Sequence, residues 1–181
     1  NRMNNSYKNW LKGGLLSACA VMGLAACSDD HFDVVVNSEA EQQTLWQNIQ
    51  SDSLLTDFAY ILENTTFYKD KLDVVKDSTV TKMTYAEFLN SNQTMTVWAP
   101  VNGSFDKDAK LAELAEIKAL YATDRKAATK AEYIFASQFL GQHIARFNHE
   151  SQAEGKEVRT LNARYVMYDA TAKTFDGVAF E

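Results

Sequence analysis

Apolar positions recur along much of the chain with a helical period and, in one central stretch, alternate with a strand period. Between Ser53 and Glu63, Leu54, Leu55, Phe58, Ile61 and Leu62 fall at i, i+1, i+4, i+7 and i+8. That single stripe predicts an amphipathic core helix, with Ser51, Asp52 and Ser53 as candidate caps. A shorter helix is expected over Glu41–Ile49. Phe67, Tyr68 and Leu72 suggest a helical turn, Val74-Val75 the start of an irregular crossover. Thr84-Tyr85-Ala86-Glu87 fits a capping box that opens a brief helix carrying Phe88 and Leu89. Thr94, Thr96 and Trp98 alternate with Met95 and Val97 as in a strand, and Pro100, the sole proline, forbids a helix running through. Asn102, Gly103 and Ser104 supply turn and N-cap chemistry before a helix from Phe105 to about Tyr121. Asp124 caps the longest predicted helix, Arg125 to Phe147, where Ala131, Phe135, Phe139, His143 and Phe147 stand at four-residue steps beside Ile134, Leu140 and Ile144. So aromatic a stripe reads as core.

The C-terminal part changes period. Ser151–Lys156 is a polar loop, Val158, Thr160 and Tyr165–Tyr168 read as strands around a turn at Leu161–Arg164, and Asn162 suits the positive φ of that turn. Thr174–Phe180 is expected to be a further strand. Helices early and strands late imply an α+β fold.

Two of these segments carry a family resemblance. Thr96, Val97, Ala99, Pro100, Asn102 and Phe105, with Trp98 in place of a phenylalanine, resemble the first signature of the fasciclin domain. Phe139 to Ile144 resembles the second: His143 matches the family histidine, while Gln142 stands where a tyrosine is frequent. The resemblance implies a wedge in which a small β-sandwich packs on several helices, and a function in adhesion or protein interaction. It also implies a further strand with an Asn-Gly-x-x-His-x-x-Asp segment, so the domain is expected to be incomplete at Glu181. The tyrosine-histidine pair linked to integrin-type adhesion in animal members is not matched at Gln142.

The N-terminus brings in the cell envelope. After Met3, Lys8 and Lys12 form a positive region, Gly13–Ala26 a short apolar one, and Leu24-Ala25-Ala26-Cys27 resembles the lipobox of bacterial lipoproteins. An apolar run of about 14 residues is too short to span a bilayer as a helix. The expected organisation is a signal peptide over residues 1–26, a lipidated Cys27 with an acidic tether over 27–40, and the fasciclin-like domain over 41–181. Ser28-Asp29-Asp30 resembles an export signal to the outer face, so the expected location is the outer membrane, surface-exposed and Gram-negative. Val34-Val35-Val36 in this stretch fits either tether or a first edge strand.

Cleavage before Cys27 removes Arg2, Lys8 and Lys12 but no acid, taking the formal net charge from −6 to −9. Such a balance repels phosphate backbones, so nucleic acid is not an expected partner. Cys19 leaves with the signal and Cys27 takes lipid, leaving no thiol for a disulfide, a nucleophile or a metal. His31 lies in the tether, and a six-residue spacing puts His143 and His149 on different helical faces. Ser104 lacks a nucleophile elbow, Asp106/Asp108 and Glu113/Glu116 sit among lysines on an amphipathic helix, and there is no phosphate-cradling loop. No catalytic, cofactor or metal residues are therefore assigned. Trp46, Trp98, Tyr121, Tyr133, Tyr165 and Tyr168 are candidates to stack on sugars or to anchor an interface where exposed. The expected function is non-catalytic: a membrane-anchored adhesion module, or alternatively an accessory glycan-binding subunit of an outer-membrane polysaccharide uptake system. A flat apolar patch with a polar rim would mark the first, a planar row of exposed aromatics the second.

Overall fold

The computed structural model describes residues 32–36, 43–68, 82–149 and 155–180. The expected signal peptide, Cys27, Leu72 and Val74-Val75 lie outside them. Strand β1, Phe32–Val36, pairs antiparallel with β4, Met95–Pro100, placing Val34 opposite Trp98 and Val35 opposite Val97. The tether expected over 27–40 therefore gives up Phe32–Val36 to the folded body. Helix α1 is Leu45–Ser51, later than expected, because a capping box between Thr44 and Gln47 fixes its start. Helix α2 is Thr56–Asn64. Leu54 drops out of its apolar stripe and is 62% exposed, while Leu55, Phe58, Ile61 and Leu62 are fully buried. Phe67 and Tyr68 form no helical turn. Thr66–Phe67 is a two-residue strand, β2, paired with β3, Met83–Thr84.

Helix α3, Tyr85–Leu89, starts at the capping box read from the sequence, Thr84 Oγ1 accepting from Glu87 N and Glu87 Oε2 from Thr84 N. Helix α4, Lys107–Leu120, is capped by Asp106, not Ser104, whose hydroxyl donates instead to Val101 O. Asp124 caps α5, Arg125–Phe135, as expected. The α-helix does not reach Phe147. It widens into a π turn, Ala136–Leu140, tightens into a 3₁₀ turn, Gly141–His143, and becomes strand β5, Ile144–Arg146. The reason is tertiary: Ile144 and Ala145 are taken up by pairing with Val97 and Thr96 of β4. Phe147 then sits at φ 72° and is 71% exposed, outside the core stripe.

Strands β6, Lys156–Arg159, and β7, Tyr165–Asp169, form an antiparallel hairpin. Positive φ in its turn falls on Ala163, not Asn162, whose side chain accepts from the Thr160 hydroxyl and from Arg164 N. The single strand expected at Thr174–Phe180 is a tight hairpin of β8, Thr174–Phe175, and β9, Val178–Ala179, turning through Asp176 and Gly177 at positive φ.

The result is an α+β architecture. A three-stranded antiparallel sheet, β1-β4-β5, lies between the helices and a four-stranded meander, β6-β7-β8-β9. Every residue of β4 is buried, and its alternation divides two cores. Met95, Val97 and Ala99 join α1, α2, α3 and the aromatic side of α5. Trp98 points the other way, into Ala145, Val158, Val166, Tyr168, Phe175 and Phe180. One β-bridge, Ala145 to Thr160, links the two sheets.

Candidate functional site

The signature residues come together as a structural joint. Thr96 donates its hydroxyl to Phe147 O and accepts from His149 N, pinning the chain that leaves β5. Trp98 stacks on Phe175 with centroids 4.4 Å apart and meets Tyr168 edge-on at 5.1 Å. Past Pro100, Asn102 closes the start of α2 from a distance. Its Oδ1 accepts from Asp57 N at 3.0 Å, and its Nδ2 donates to Ser53 O at 3.0 Å and Thr56 Oγ1 at 2.9 Å. The α2 N-cap position, Leu55, has no side-chain cap of its own, so Asn102 supplies it. Phe105 packs on Phe139, ring centroids 5.2 Å apart. Val97 and Ala99 are core. These side chains are spent on packing and capping.

His143 is buried at the tip of the 3₁₀ turn, ringed by Phe32, Phe58 and Phe139 at 5.5, 5.9 and 5.8 Å between centroids. Nε2 is 3.3 Å from the Gln142 amide nitrogen, and Nδ1 has no partner among the described residues. Burial among rings pushes its pKa down to about 4, so the imidazole is neutral at physiological pH. His149 lies apart from it, beside Trp98 and bonded to Arg146 O.

A buried carboxylate was not legible in the sequence. Glu132 of α5 is fully buried and accepts from Thr66 N at 2.8 Å, from the Lys118 ammonium and from the Tyr121 hydroxyl. Burial alone would raise its pKa; the Lys118, Tyr121 and Thr66 hydrogen bonds outweigh that and hold it below the ordinary carboxylate range. Burial and the Glu132 bond push the Tyr121 phenol far up. Glu132 thereby ties β2 and α4 to α5, a joint that consumes one of the candidate tyrosines.

Comparison with family models, with curated proteins and with solved structures finds no match. The surface must therefore be read by its own chemistry.

Of the other aromatic candidates, Trp98 and Tyr168 are buried, and Tyr133 lines a small cleft of about 50 Å³ with Tyr68, Tyr85, Ser137 and Asn162. Trp46 lines a more open cleft at the ends of α1, α2 and α3. Tyr165 stands out on β7, 65% exposed, with Met167 next on the same face at 50%. Across the ladder Arg159 opposes Tyr165 and Glu157 opposes Met167, both exposed. This outer face of the meander thus sets two exposed apolar side chains side by side against a charged pair. The remaining exposed aromatics among the described residues, Tyr60 and Phe147, sit on α2 and beyond β5. Among the described residues no cluster of three His, Cys, Asp or Glu side chains could hold a metal ion, and no helix is long and apolar enough to cross a membrane.

Proposed function

We propose that this chain is a membrane-anchored surface lipoprotein whose fasciclin-like domain works as a non-catalytic adhesion and protein-interaction module. The observation that carries the reading is the Tyr165/Met167 strip. A solvent-facing aromatic and a methionine, adjacent on a strand and bordered by Arg159 and Glu157, have the composition of a protein interface centre with a polar rim. The fasciclin-like assignment is supported by the strand-to-helix corner, where Asn102 and Phe105 make the joint described above, and by the small sandwich packed on helices. Anchoring is supported by the lipobox-like Leu24-Ala25-Ala26-Cys27; lipid on Cys27 would hold the protein on the outer membrane.

The test is a binding screen of the soluble domain, begun at Ser28, against arrays of matrix and mucin proteins and of glycans. Saturable protein binding with a blank glycan array is the expected result. Saturable glycan binding would replace this reading with the accessory subunit of a polysaccharide uptake system, and silence on both arrays would overturn both.

A further inference from the structure

Thr84, Ala86, Glu87 and Asn90 around α3, with Trp46 from the first turn of α1 and Glu63 from the last turn of α2, line a cleft of about 290 Å³. We propose that this cleft seats a lysine or arginine side chain of the protein partner, an inference that rests on the protein-interaction reading above. The walls are held in place before any ligand arrives. The Thr44–Gln47 capping box fixes the start of α1, the Thr84–Glu87 box fixes α3, and the Thr44 hydroxyl donates to Asn90 Oδ1 at 2.6 Å, tying the two together. Trp46 packs against the core and has limited freedom to move.

Each cap leaves acceptors over. Glu87 uses Oε2 on Thr84 N–H and keeps its second carboxylate oxygen. The Glu63 side chain makes no hydrogen bond or ion pair among the described residues, and none of the described residues lining the cleft is a lysine, arginine or histidine. Some carboxylates of the fold are paired with a base, Asp57 with Lys107 at 2.8 Å, Glu113 with Lys110 at 3.2 Å and Glu132 with Lys118. Here two formally negative groups share a cleft with an indole, and no base stands among the described residues that line it. Tryptophan is the best of the aromatic partners for a cation, and flanking carboxylates reinforce that attraction. The same carboxylates repel an anion, and two of them are too few to build a metal site, in keeping with the absence of any three-group cluster among the described residues. The chain's formal charge of −6 supports a basic partner at longer range.

The experiment follows the Trp46 indole N–H by NMR in the soluble domain while N-acetyl-arginine amide, N-acetyl-lysine amide, the neutral isostere N-acetyl-citrulline amide and methyl glycosides are added in turn. The expected result is a saturable shift with the two cationic probes only, weakening as salt is raised. A Glu63→Gln/Glu87→Gln variant should bind them about tenfold less tightly, since glutamine at the third helical position preserves the capping box while removing the charge. Equal binding of citrulline amide, a shift with glycosides instead, or no shift with any probe would overturn the proposal. An array partner whose affinity is unchanged by the double variant would overturn the cleft's role and leave the interaction module standing. Cationic probes that bind while the protein array stays blank would instead strike the module reading.

Discussion

Trp98 and His143 show how much of this molecule is decided by single side chains facing opposite cores. Trp98 is wholly buried in the meander core, and its indole N–H has no partner among the described residues. Removing the ring should cost about 3–5 kcal/mol as Trp98→Ala. Trp98→Phe should cost less than about 1.5 kcal/mol, because it keeps the stack on Phe175 and removes a buried donor that nothing accepts. Chemical denaturation separates the two; a Phe variant as damaged as the Ala variant would mean that the indole N–H matters. His143 predicts a pH dependence of definite sign. Its folded pKa, about 4, lies below the ordinary 6.5, so the unfolded chain takes up the proton first. Stability from this group is complete above pH 6.5 and is lost as pH falls from there toward 4, on the order of 3 kcal/mol in all. The side chains around it, Phe32, Phe58, Phe139 and Gln142, carry no charge to compensate. Across that window the denaturation midpoint of wild type should fall relative to that of His143→Leu as pH falls; parallel curves would contradict the buried neutral imidazole.

At the scale of elements, the joint between the β4 corner and α2 is the clearest case of one element completing another. Asn102→Ala leaves Asp57 N–H without its acceptor and removes two donors from Ser53 O and Thr56 Oγ1. The expected loss is about 1–2 kcal/mol. Asn102→Asp should recover part of it, because the acceptor toward Asp57 N–H is kept; no recovery would mean that the Nδ2 donations dominate. The same joint explains what local pattern cannot convey. The stripe of α2 was legible at Phe58, Ile61 and Leu62, but Leu54 is pulled outward in a turn held by Asp52 Oδ1 and by Asn102 N on Leu54 O. Likewise the four-residue repeat from Ala131 to His143 was legible as core, whereas its extension to Phe147 ignored β4, which claims Ile144 and Ala145 as strand. The two capping boxes at Thr44 and Thr84 are both local, yet only the second is legible in the sequence, because the Glu41–Ile49 apolar pattern has no sharp beginning.

For the whole molecule, the chain's pattern foretold an α+β fold, and β4 is the reason two layers cohere: odd residues serve the helices, Trp98 the meander. The candidate surfaces were far less legible. Nothing in the local pattern around Tyr165 marks it as exposed; the strip depends on Met167 beside it and on Arg159 and Glu157 across the ladder. The Glu132 joint and the Trp46 cleft each assemble residues from three elements, and no spacing along the chain encodes that. The proposed interaction function rests on the meander's outer face. The measurement that addresses it most directly is the affinity of wild-type domain and a Tyr165→Ser/Met167→Ser variant for the strongest protein found on the array. Both side chains are solvent-facing, so the variant should fold with unchanged stability and bind at least about tenfold more weakly. Equal affinity in a folded variant would contradict the claim that this strip is the interaction surface.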